Sequence, residues 1–65
     1  MTQSTLIRLK DVQARTGLAR SSIYYLIEKD EFPKQIKLSR RMVGWLESDI
    51  EAWITKKIEE HTDER

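Results

Sequence analysis

The 65-residue sequence has no cysteine, one histidine, one proline and two glycines. Without cysteine there is neither a disulfide framework nor a thiolate metal site, so stability must come from packing, helped where needed by a partner. His61 stands alone in a charged C-terminal stretch, and neither a metal cluster nor a histidine-based triad can be built around it. The carboxylates Glu47, Asp49 and Glu51 read most simply as acids that complement a helix N-terminus. No catalysis, cofactor or metal is therefore expected. Apolar runs are short as well: Ile23-Tyr24-Tyr25-Leu26-Ile27 spans five residues, against the roughly 20 needed to cross a bilayer. With no secretory leader recognisable, a cytoplasmic chain without membrane contact is expected. A domain of this length hides only roughly 60% of the surface its unfolded chain exposes, so a single small core is all it can build.

What is present is a sequence of periodic segments. Leu9, Val12 and Thr16 follow helical spacing, and Gly17 stands where a helix-ending residue of positive φ belongs. From Arg20 to Lys29 the apolar residues Ile23, Leu26 and Ile27 define a second buried stripe. Two helices joined by a tight, glycine-containing turn have the form of a helix-turn-helix. Pro33 lacks an N–H and biases Phe32 toward extended geometry, which ends the second helix. Ile36 and Leu38 then alternate with Gln35 and Lys37, and Val43 and Trp45 with Met42 and Gly44, the period of half-buried strands. Ser39-Arg40-Arg41 is left as a hairpin tip. Ser48-Asp49-Ile50-Glu51 matches a capping box, and Ile50, Trp53, Ile54, Lys57 and Ile58 continue along one face of a third helix. The expected fold is mainly α with a small β-hairpin: a winged helix-turn-helix over residues 6–60, with flexible tails at 1–5 and 61–65.

Net charge is only +1, yet its distribution is uneven. Residues 1–45 carry nine Lys/Arg against four Asp/Glu, and residues 46–65 carry three against seven. A basic front half suits phosphate, and an acidic end suits a protein partner or discourages promiscuous contacts. If Ile23, Leu26 and Ile27 face inward, about 100° per residue turns Ser21, Ser22 and Tyr25 outward, with Arg20 at the helix start. A guanidinium, hydroxyls and a phenol at a helix N-terminus are groups that meet phosphates and base edges. The plainer reading is that the serines begin the helix and Arg20 is solvated. Arg40 and Arg41 at the tip, flanked by Ser39 and Lys37, fit a minor groove or phosphate strand, although an Arg pair in a turn also discourages strand aggregation. Helix and wing together form two halves of one docking mode on duplex DNA. Trp45 and Trp53 fall on apolar faces and read as core rather than as base-stacking platforms.

The strings Leu9-Lys10-Asp11-Val12, Thr16-Gly17-Leu18, Arg20-Ser21-Ser22-Ile23-Tyr24, Phe32-Pro33, Gly44-Trp45 and Glu51-Ala52-Trp53-Ile54, in this order, resemble the AlpA family of prophage regulators over about residues 6–55. The resemblance implies a winged helix-turn-helix related to the MerR and excisionase folds, and a transcriptional regulator of an integrated element, often of its integrase gene. Two departures bear on the site. Ala19 replaces the serine common before the Arg-Ser pair and cannot cap the recognition helix, and Ser39-Arg40-Arg41 lacks the glycine often found in the wing turn.

The expected function is sequence-specific DNA binding as a transcriptional regulator of a prophage or mobile element. The alternative within the same class is an excisionase that bends attachment-site DNA. From another class, the rival is a protein-interaction module using the acidic third helix. The expected partners are double-stranded DNA, further copies of the chain on adjacent sites, and integrase or RNA polymerase.

Overall fold

The computed structural model describes residues 5–63, with side chains through residue 61. Among these, the chain runs β1 (Leu6–Ile7), α1 (Leu9–Thr16), α2 (Arg20–Glu28), β2 (Ile36–Lys37), β3 (Val43–Leu46) and α3 (Glu47–Asp63). This is a winged helix-turn-helix, mainly helical with a small antiparallel sheet of order β1-β3-β2. Both helices of the motif begin where the residue pattern indicates, and α1 also ends there. α1 closes on Gly17 at φ 75°, whose N–H donates to the Gln13 carbonyl, a left-handed conformation that glycine adopts at no steric cost. The Thr16 hydroxyl donates to the Val12 carbonyl at 2.8 Å and accepts from the Leu18 N–H at 3.2 Å. This ties the three-residue turn down before α2 starts. α2 stops one residue earlier than the apolar stripe suggests, at Glu28. The Asp30 N–H returns to the Ile27 carbonyl and the Glu31 N–H to the Leu26 carbonyl, with Asp30 at φ 63°. That pair of bonds is a Schellman closure, carried here by an aspartate instead of the usual glycine.

Val12 of α1, Ile23 of α2, Trp45 of β3 and Ile50 of α3 are fully buried, and Ile7 and Phe32 complete the core. Leu9, Leu18, Leu26, Ile27, Val43, Trp53 and Ile54 pack around it. Trp45 is buried in the core and Trp53, half-buried, packs against it, and both have a second duty. The Trp45 Nε1–H donates to the Pro33 carbonyl at 3.0 Å and the Trp53 Nε1–H to the Glu31 carbonyl at 2.8 Å. Phe32 meets Trp53 edge to face, with ring centroids 4.8 Å apart. The connector after α2 is thus clasped from both sides, each indole burying area while satisfying its one donor.

Three local expectations need correction. Strand β1 was not foreseen, because two residues are too short to show alternation; it pairs Leu6 with Leu46 and Ile7 with Trp45. Second, Ile36 and Leu38 are exposed at 39% and 37% instead of half-buried with Trp45. The register sets Ile36 opposite Gly44 and Lys37 opposite Val43, and paired residues share a face, so Ile36 lies on the side of the sheet away from Trp45. Leu38 covers Gly44 there: a Cβ at Gly44 would fall 3.2 Å from Leu38 Cδ1 and 3.1 Å from the Ile7 carbonyl oxygen. Third, α3 begins at Glu47, so Ser48 lies inside its first turn and not at a capping position. The Glu47 N–H donates instead to the Thr5 carbonyl at 2.7 Å, and Glu51 turns toward Arg15. Helix α3 also continues to Asp63, with Ile58 61% exposed near its end. The expected tails fall partly on residues 1–4 and 64–65, which lie outside the described residues.

Candidate nucleic-acid interface

The face of α2 opposite its buried stripe is set by Ile23, whose complete burial fixes the helix rotation. Ser21 and Tyr25 are exposed and Ser22 half-buried. These three line one shallow depression, joined by Leu26. Leu26 is the residue that the stripe argument places inward and the structure leaves at the edge of this face. Tyr25 is 59% exposed, with the Lys29 ammonium 5.4 Å from its ring centroid, close enough for a cation–π attraction. The N-terminus of α2 has no side-chain cap at Ala19 and no acid in its first turn. Its free N–H groups and positive dipole end therefore meet solvent uncompensated.

Arg20 opens α2 with its guanidinium 5.7 Å from the Tyr24 ring centroid. A second depression gathers Arg20, Tyr24 and Arg41 with Arg8, Lys10 and Asp11 of the α1 start. The structure thus brings α2 and the wing together at Arg20 and Arg41. Lys37, Ser39 and Arg40 are exposed but line neither depression. The wing turn is closed by the Leu38 and Ser39 N–H groups, which both donate to the Met42 carbonyl, at 2.7 and 3.1 Å. That closure forms the turn without any glycine and leaves Arg40 and Arg41 exposed, Arg41 on the side of the depression.

Sequence reasoning missed Arg8 and Lys10. Their positive charge enters the front-half excess, but nothing in a linear pattern shows that the start of α1 reaches the root of the wing. The far end of α1 has the reverse character. Arg15 is ion-paired to Glu47 at 2.8 Å and approaches Glu51 at 3.6 Å, joining α1 to the acidic start of α3. Among the described residues no cluster of His, Asp or Glu is placed to hold a metal ion, and no helix is long and apolar enough to cross a membrane.

Comparison with known proteins places this arrangement. The family model described as prophage CP4-57 regulatory protein (AlpA) matches residues 5–58. An uncharacterized protein, ORF88, of Enterobacteria phage P4 is 43% identical over 58 residues, covering 89% of this chain; the chain spans 66% of that protein's length. A protein of Escherichia coli K12 named DNA-binding transcriptional activator AlpA is 36% identical over 58 residues, covering 80% of this chain and 83% of its own. The matched segment holds all six elements apart from the last turns of α3. The chain belongs to the AlpA family of prophage regulatory proteins.

Proposed function

We propose that this chain is a sequence-specific, DNA-binding transcriptional regulator of a prophage or other integrated element, docking α2 in a major groove and the wing on the adjacent backbone. The observation that carries the reading is the exposed face of α2. Arg20, Ser21, Ser22 and Tyr25 occupy the first turns of a helix whose N-terminus has neither cap nor acid. Hydroxyls and a phenol at that end can exchange hydrogen bonds with base edges, and the helix terminus favours phosphate. Ser39, Arg40, Arg41 and Lys37 supply the wing's share, holding register on the backbone without reading bases. The Escherichia coli relative, named a DNA-binding transcriptional activator, supports the same class.

A module of this kind covers roughly 600 to 1,000 Å² of DNA-facing surface and discriminates weakly alone, so adjacent copies on repeated half-sites are part of the proposal. The test begins with selection of bound duplexes from a fragment library of the host genome. Fluorescence anisotropy then compares selected and scrambled duplexes, and gel shifts count the bound species. Tight binding to the selected duplex, in two or more discrete species, is the expected result. Equal affinity for selected and scrambled duplexes would remove the specific-regulator reading. A selected site inside a recombination arm, bent on binding, would replace it with the excisionase role.

A further inference from the structure

Arg8, Lys10, Arg20 and Arg41 meet around one depression between the first turns of α1 and α2 and the root of the wing. Among the described residues Arg15, Lys34 and Lys57 have carboxylate partners, whereas none of these four does. Bringing four cations together around a single carboxylate, Asp11, costs free energy through self-repulsion and concentrates a positive potential in a concave surface. Tyr24 fixes one of them, with the Arg20 guanidinium 5.7 Å from its ring centroid. The location is informative as well. A duplex that meets the α2 face on one side and the wing tip on the other has one backbone strand running between those two contacts, and this depression lies between them.

We infer that the depression is a seat for one phosphodiester strand of duplex DNA, in which Arg8 and Lys10 contact phosphates together with Arg20 and Arg41. The inference rests on the proposed DNA-binding function and adds to it a third contact zone, from the start of α1. The seat is indifferent to sequence, since phosphates carry no base information. It links the reading helix to the wing and fixes how far apart on the duplex the two can land. Asp11 is the one wrong charge in the depression. Its place in the first turn of α1 explains its presence, because an acid there complements the helix dipole. It nonetheless repels a phosphate.

The experiment compares wild type, the Arg8→Gln/Lys10→Gln double variant, Asp11→Asn, and a charge-matched control, Lys34→Gln/Lys56→Gln, on random-sequence duplex over a series of salt concentrations. Thermal melts establish folding. The Arg8/Lys10 variant should lose roughly tenfold or more in affinity at 0.1 M salt and lower the salt slope by about two, since each phosphate contact contributes a slope of about 0.9. Asp11→Asn should bind a few-fold tighter, and the control should change little. A folded Arg8/Lys10 variant with wild-type affinity and slope overturns the seat and leaves the α2-and-wing reading standing. Equal losses in the control overturn it too, by showing an effect of net charge alone. If the double variant does not fold, Asp11→Asn decides, and unchanged or weaker binding is fatal to the seat. Wild type that binds no duplex at all removes the parent reading and the seat with it.

Discussion

The α2 face with its wing and the α3 side with its connector are built from similar residue types put to opposite uses. On the α3 side the polar groups are satisfied within the chain: both indole N–H groups reach carbonyls of the 31–33 connector, and Arg15 sits between two glutamates. On the α2 side Ala19 leaves the helix uncapped, Arg8, Lys10, Arg20 and Arg41 line one depression with Asp11 as its single carboxylate, and Tyr25 is mostly exposed. An ion pair or cap inside the chain leaves little to offer a partner. Unmet donors and cations lower intrinsic stability but are available for contact. On the proposed reading, stability and recognition are divided between two sides of one small core.

The sharpest way to break this division is to remove its structural half. Trp45→Ala should cost about 3–5 kcal/mol, because Trp45 is fully buried and its indole also holds the Pro33 carbonyl. That approaches the whole stability expected of so short a chain, so loss of the cooperative transition in a circular-dichroism melt is expected. A melt within a few degrees of wild type would show that the connector clasp is dispensable.

The recognition half should fail without unfolding. Ser22→Ala and Tyr25→Ala should each leave the melting temperature nearly unchanged while costing about 1–3 kcal/mol on a selected duplex and little on random DNA. Anisotropy on both duplexes checks this. Equal losses on both would reassign the residue to backbone contact, and no loss on either would move the recognition face elsewhere.

A smaller change sharpens the boundary between the halves. Ala19→Ser supplies the missing N-cap and should stabilise the chain by about 1 kcal/mol, visible as a raised urea midpoint. Smallest of all, Asp30→Gly relieves a non-glycine residue at φ 63°. The relief of roughly 1–2 kcal/mol is offset by glycine's greater loss of freedom and by the exposed Lys34 pair at 3.2 Å, worth about 0–1 kcal/mol. A net gain near 0.5 kcal/mol is expected in the same urea titration, and any destabilisation would mean that the ion pair outweighs the backbone strain.

Much of the fold is legible in the residue pattern because helical periodicity and breakers are local signals. Val12 and Ile23 mark the buried faces of α1 and α2, and Gly17 marks the end of α1, whereas α2 ends at Glu28, ahead of Pro33, on the closure around Asp30. What the pattern misses is relational. The period of two identifies Ile36 and Leu38 as sharing a face, but only the cross-strand register shows that this is not the face of Trp45. Ser48-x-x-Glu51 has the spacing of a capping box, yet β3 runs directly into α3 and the first N–H finds the Thr5 carbonyl. At the candidate site, helix geometry separates Ser21 and Tyr25 from the core, whereas the gathering of Arg8 and Lys10 beside Arg41 depends on tertiary packing alone.

The direct passage from β3 into α3, with Leu46 the last residue of one and Glu47 the first of the other, leaves no joint between the sheet and the C-terminal helix. A helix of 17 residues is about 25 Å long, and no linker at its base absorbs rotation. The direction in which β3 leaves the sheet is therefore the direction in which α3 sets out, and Ile50, fully buried in its first turn, anchors that heading in the core.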